Sequence, residues 1–273
     1  MKILIKIGKF LVNCTLSVLL IMLILSITLD KVITKDLLTN FLVEKISNET
    51  TEVIDKNFNN LDKQKINKIN GDIKKNKAIN NAIEKYARNT INIMASDRPY
   101  DINLLNEAKS IIKENKSILE EDYNIKITDK QIDEEMEKLD KEFKLNDYYN
   151  NLVKDTSKNI SKEQKDALKL YKTITSTKFI IIDIILILIL LIIIAIYNKS
   201  FYKWLKNLGV SGISASIINI VLFIIFTLVI NSYSKDVNLK IINSITIPII
   251  FLIYSILMYI VYYLINRKKQ LNK

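Results

Sequence analysis

Asp183 is the one charged side chain in a nineteen-residue apolar run, Phe179 to Tyr197, that reads FIIIDIILILILLIIIAIY. A carboxyl group inside a membrane-spanning stretch can hold a proton or a cation, can join a polar cluster between helices, or can stand alone near an interface. It lies about five residues, or ~7.5 Å of helix rise, from Lys178 at the end of the run. At that depth insertion costs less than the ~2.5–3.5 kcal/mol expected at the bilayer centre. Ser26 and Thr28, Thr227 and Asn231, and Thr246 occupy similar depths in three other apolar stretches. With Asp183 they form a candidate intramembrane polar cluster.

The other acidic groups invite a cation-binding or acid–base reading. Glu120 to Asp122 and the set Asp133, Glu134, Glu135, Glu137, Asp140 and Glu142 are dense enough to suggest it. Lys126, Lys130, Lys138, Lys141 and Lys144 interleave with them, however, which is the pattern of ion-paired, solvated helix faces. Neither a calcium-loop motif nor a glycine-rich phosphate cradle occurs. The chain has no histidine, and its single cysteine, Cys14, sits in the first apolar run. Thiolate and imidazole zinc sites, Ser-His-Asp and Cys-His nucleophiles and imidazole proton shuttles are therefore excluded. No catalytic, cofactor-binding or metal-binding residue is expected, and the chain reads as non-enzymatic.

Four apolar stretches supply the frame for these residues. Phe10 to Leu29, Phe179 to Tyr197, Gly212 to Asn231 and Ile245 to Ile265 are each about 20 residues long, enough to cross ~30 Å of hydrocarbon as helix. The first exceeds the usual apolar core of a secretory signal, and Ser26-Ile27-Thr28 is a poor cleavage site, so it reads as an uncleaved helix. Asn13, Cys14, Thr15 and Ser17 form its polar end. In the third, Gly212, Ser216 and Asn219 share one side, and the Gly-x-x-x-Ser spacing admits close approach of another helix. The fourth contains Pro248, where it can kink.

Charge orients the frame. Residues 30 to 178 carry 28 Lys+Arg against 27 Asp+Glu, so the net +11 does not come from them. Ten positive charges lie instead in three short segments: Lys2, Lys6 and Lys9; Lys199, Lys203 and Lys206; and Arg267, Lys268, Lys269 and Lys273. This is the positive-inside signature, with both termini and the 198–208 elbow cytoplasmic, and not a nucleic-acid footprint. Within the elbow Phe201, Trp204, Leu205 and Leu208 fall at helical spacing beside the lysines. They predict a short amphipathic helix in the interface, either an aromatic anchor or a docking site for a cytoplasmic protein.

Residues 30 to 177 contain no run long enough to span, and the pattern places them outside the membrane as a helical extracytoplasmic domain. Ile33, Leu37, Leu38, Phe41 and Leu42 could prolong the first helix. Asn70-Gly71 predicts a turn, Asp72 to Ala95 a helix, and Ser96 to Asp101, with Pro99, a break. Thr128-Asp-Lys-Gln131 and Ser161-Lys-Glu-Gln164 are capping boxes. Without Gly or Pro between Ser161 and Gly209, the second of these helices is expected to run on into the Phe179 span, although the β-branched stretch Thr173 to Thr177 could interrupt it.

Two passages carry a resemblance: Ile111 to Glu121 running into Ile125 to Ile132, and Asn198-Lys-Ser-Phe-Tyr-Lys-Trp-Leu-Lys-Asn-Leu-Gly209. They resemble uncharacterised four-span membrane proteins of low-GC Gram-positive bacteria with one helix, a helical outer domain and then three helices. In layout alone the chain is also similar to FtsX-type permeases, which work with ATP-binding-cassette ATPases; the alternating strand patterns of their outer domains are missing here. The expected fold is thus an all-α integral membrane protein divided at 1–29, 30–177 and 178–273. The expected function is an interaction or sensing component of the cell envelope, multi-pass in the cell membrane. Its partners would be the lipid bilayer and a protein, or a second copy, reached through the outer domain. The alternative is a permease-like subunit whose elbow docks an ATPase.

Overall fold

The computed structural model describes residues 2–40, 42–44, 47–48, 63–96, 103–114, 116–123, 126–144, 147, 151, 160–200, 202–233 and 239–271. They are almost entirely helical, and among them there is no strand. Only four Gly and two Pro in 273 residues leave few places where the backbone is pushed out of helix. Four helices are long and apolar enough to cross a membrane, which is the architecture of a multi-pass membrane protein. The chain divides into two compact units, 1–36 with 173–273, and 37–172.

The first unit holds the four long helices. Helix α1 (Lys2–Leu29) continues as a π-helical stretch, Asp30–Thr39, so the chain beyond the first span does prolong the helix. Its Leu16, Leu20, Leu23 and Ile24 recur at i, i+4, i+7 and i+8 and form one buried stripe. Against it pack Ile187 and Ile194 of α8 (Thr177–Tyr197) and Ala215 of α9 (Lys203–Tyr233). Helix α10 (Ile241–Leu271) packs most extensively on α9 and carries Pro248, buried, within a single helix. Along α8 only Asp183, Ile187 and Ile194 are buried; Leu190 and Leu191 pack partly against the same cluster, and the other isoleucines and leucines between Asp183 and Ile194 face outward. A helix apolar all round with one narrow packed face is built for lipid.

The second unit consists of shorter amphipathic helices: α2 (Lys63–Lys75), α3 (Lys77–Ser96), α4 (Leu104–Glu114), α5 (Lys116–Tyr123) and α6 (Asp129–Phe143). Helix α7 (Lys162–Ile174) follows. Ala82, Ile83, Ala87, Ile91 and Ala95 bury one face of α3, and Ile132 and Met136 one face of α6. Both capping boxes form: Thr128 and Gln131 exchange bonds of 3.3 and 2.8 Å, Ser161 and Gln164 bonds of 3.2 and 2.9 Å.

Three expectations need correction. The turn expected at Asn70-Gly71 lies inside α2, and the break falls at Asn76, whose Oδ1 accepts from Ile79 N–H at 3.1 Å. A Cβ on Gly71 would meet nothing within 4 Å, so no close contact requires a glycine there. The helix begun at Ser161 does not run on into the Phe179 span. It ends at Ile174, and Ser176, extended at φ −65° and ψ 140°, caps α8 by accepting from Phe179 N–H at 3.2 Å. Its hydroxyl also donates to Thr173 O at 2.8 Å, so the β-branched stretch ends in a capped break. Finally, no separate helix occupies 198–208. The backbone turns at Asn198 and Lys199, and residues 203–208 are the first turns of the 31-residue α9. Gly209 does not interrupt it, because glycine weakens a helix by only about 1 kcal/mol.

Ion pairing on α6 runs across helices as well as along it. Lys113 Nζ bridges both carboxylate oxygens of Asp133 at 2.8 and 2.9 Å, while Lys109 reaches Glu137 at 3.3 Å and Lys116 reaches Asp129 at 3.4 Å. The hydrogen bond from Lys113 holds the Asp133 carboxyl below the usual carboxylate range. A carboxylate lowered in the folded state stabilises it above its unfolded pKa, and that support is lost as pH falls through the lowered folded value. Acidification below about pH 4 is thus expected to loosen α4 from α6. Amide protection in α4 and α6, relative to the intrinsic exchange rate at each pH, should fall, and Asp133→Asn should remove that part of the pH dependence.

Candidate functional site

Apolar surface gains little by leaving lipid for another apolar surface, so small residues and inter-helix hydrogen bonds decide how these four helices associate. Both are concentrated on α9. Gly212 faces Ser255 of α10 so closely that a Cβ there would collide with the Ser255 hydroxyl and lie 2.9 Å from its Cβ. One turn earlier, a Cβ on Gly209 would come within 2.9 Å of Ser255 O and of Tyr259 Cβ. Ser216 and Asn219 are fully buried on the same helix. The Asn219 amide donates to Ile21 O of α1 at 3.3 Å and to Ala215 O at 2.9 Å, tying α9 to α1. The sequence pointed to Gly212, Ser216 and Asn219. It did not point to Gly209, three residues before Gly212, or to Ser255 opposite.

The residues grouped with Asp183 bond separately. Ser26 and Thr28 donate to carbonyls of their own turn, Met22 O at 2.7 Å and Ile24 O at 2.6 Å. Thr246 does the same with Ile242 O at 2.6 Å. Thr227 donates to Ser244 at 2.8 Å, a residue absent from the expected cluster, and Asn231 closes on both backbone groups of Leu239 at 2.9 Å. No hydrogen bond joins Asp183 to any of these. It is only 4% exposed, and its Oδ2 has no hydrogen-bond partner among the described residues.

An unpartnered carboxyl in this position costs stability, whereas replacing it by a side chain of similar shape that asks for no partner is close to neutral. Asp183→Leu is therefore expected to keep or raise the thermal midpoint in detergent, and Asp183→Asn, whose amide still asks for partners but carries no charge, to leave it about unchanged. A fall of several degrees in both would show that the carboxyl has a structural partner. Unchanged stability with a lost cellular phenotype would assign Asp183 to function, the usual trade at such sites.

None of three comparisons, with protein-family models, with curated proteins and with solved structures, finds a match.

The basic segments meet at one end of the unit. Lys9 of α1 stands over the Tyr197 ring at 4.9 Å, Lys206 of α9 over Tyr262 at 5.9 Å, and Lys269 of α10 over Tyr202 at 4.2 Å. Tyr202 stacks on Tyr262 with 6.1 Å between centroids. At the opposite end Lys31 donates to Asn243 O at 2.8 Å, linking the end of α1 to the start of α10. Trp204, half-buried, packs against the apolar cluster of α1, and Leu205 is buried, so both side chains are turned into the unit. Phe201 lies outside the described residues.

Proposed function

We propose that this chain is a non-enzymatic integral membrane protein of the cell envelope that holds its 37–172 unit on the extracytoplasmic side as an interaction or sensing module. The observation that carries the reading is the gathering of three basic segments, each with aromatic partners, at one end of the four-helix unit. Lysine-rich segments stay cytoplasmic and amphipathic rings settle at headgroup level. With that end inside, the termini are cytoplasmic, and the long insertion between the first and second spans emerges on the other side. The near balance of charge in residues 30 to 178 and the paired surface of α6 suit a solvated module that meets a protein partner or a second copy.

Nothing in the geometry of the described residues favours the permease-like alternative. Trp204 and Leu205, two of the three expected docking residues, are turned into the helix packing. Photo-crosslinkers placed at the exposed Glu120, Glu134 and Lys138 in intact cells test the reading directly. A discrete adduct, with another envelope protein or with a second copy, is expected from at least one position. Absence of any adduct, together with co-purification of a cytoplasmic ATPase, would overturn it.

A further inference from the structure

Two cavities open at the basic end, on either side of a hydrogen bond from Asn207 Nδ2 of α9 to Asn13 Oδ1 of α1 at 2.9 Å. The larger, about 550 Å3, has Asn13, Ser17, Lys206 and Ser211 on its polar part. Phe10, Val18 and Val210, which are 67%, 56% and 47% exposed, form its apolar flank. The smaller, about 120 Å3, is lined in part by Lys9, Tyr197 and Asn198.

No Asp or Glu lines either cavity, and none occurs in residues 1–29, 184–235 or 237–273. The ammonium groups of Lys9 and Lys206 therefore face aromatic rings without a carboxylate from their own helices. The Asn13 side-chain NH2, whose oxygen is taken by Asn207, is left as a donor at the same place.

We propose that the groove between α1 and α9 binds one anionic phospholipid, its phosphate held by Lys206 and the Asn13 amide. Its acyl chains lie along Phe10, Val18 and Val210. Soluble phosphate would use the cation but not the apolar flank, and a zwitterionic lipid would use the flank while bringing its own cation to the lysine. An anionic lipid matches both halves of the groove. The site goes beyond the envelope role, since it requires only that the four helices cross a membrane.

Cys14, the only cysteine and an exposed one, lines the groove and reports its occupancy. The full-length protein is reconstituted into phosphatidylcholine vesicles with and without phosphatidylglycerol, and Cys14 is labelled with uncharged N-ethylmaleimide. In the anionic vesicles labelling is expected to slow about fivefold, the scale of one lysine at an anionic surface. Lys206→Gln in the same vesicles restores most of the rate, Lys206→Arg keeps the protection, and Lys240→Gln, at the opposite end, changes nothing. Equal rates for the unmodified protein in both vesicle types, or protection that survives Lys206→Gln, would overturn the proposal. Equal protection by glycerol phosphate added to phosphatidylcholine vesicles would overturn it too, by assigning the site to a soluble anion.

Discussion

Replacing Gly212 by alanine is expected to lower the thermal midpoint of the detergent-solubilised protein sharply, and replacing it by leucine to prevent α9 and α10 from packing at all. The space a Cβ needs is already filled by the hydroxyl and Cβ of Ser255. Overfilling a packed core costs roughly 1–3 kcal/mol. In lipid the loss is hard to recover by reshuffling, since the helices gain little from burying apolar area against one another. Ser255→Gly removes the opposing atoms and should return most of the stability to Gly212→Ala, while Ser255→Ala, which keeps the Cβ at 2.9 Å, should return less. A Gly212→Ala protein that melts with the unmodified one would show that α9 and α10 do not meet there.

The second large effect belongs to the 37–172 unit. Ile132 is 1% exposed, and with Met136 one turn on it supplies the buried face of α6. Truncating such a side chain removes its packing and leaves a cavity, a loss of about 2–5 kcal/mol for Ile→Ala against about 0.5–1.5 for Ile→Val. A unit of this size has on the order of 5–15 kcal/mol in total. Ile132→Ala is expected to expose α4 and α6 to protease in membranes under conditions where the unmodified unit resists, with Ile132→Val between the two. Indifference to both substitutions would mean that α6 presents a different face.

What the sequence disclosed, it disclosed through signals confined to a few neighbouring residues. The spans follow from length and apolarity, and each capping box is a reciprocal pair three residues apart, so both were legible at Thr128 and Ser161. The misplaced turn shows the limit. Asn70-Gly71 has the composition of a turn, but Asn70 O accepts from Ser47 at 3.2 Å inside a continuing helix, while Asn76 supplies the cap. The break before α8 hung on whether four β-branched residues or the lack of Gly and Pro would prevail, and the Ser176 hydroxyl decided it by capping.

Pairings between helices were less accessible. Gly212 was visible as a small residue, but its partner Ser255 is 43 positions away and looks like any other serine in an apolar helix. The lysines interleaved on α6 suggested pairing within that helix, whereas the shortest contact to Asp133 comes from Lys113 on α4. Asp183 was conspicuous as a charge in a span. That its Oδ2 would be left without a hydrogen bond depends on the three-dimensional placement of every neighbouring hydroxyl, which the sequence does not encode locally.

The proposed function requires the 37–172 unit and the basic end of the four helices to lie on opposite sides of the membrane. A Cys14→Ala protein carrying either Glu134→Cys in α6 or Gln270→Cys at the end of α10 puts a single exposed thiol in each place. Labelling with a membrane-impermeant maleimide is then compared before and after permeabilisation. The cysteine at 134 is predicted to react in intact cells, and the one at 270 only once the membrane is opened. Labelling at 270 in intact cells, with 134 protected until permeabilisation, would contradict the account.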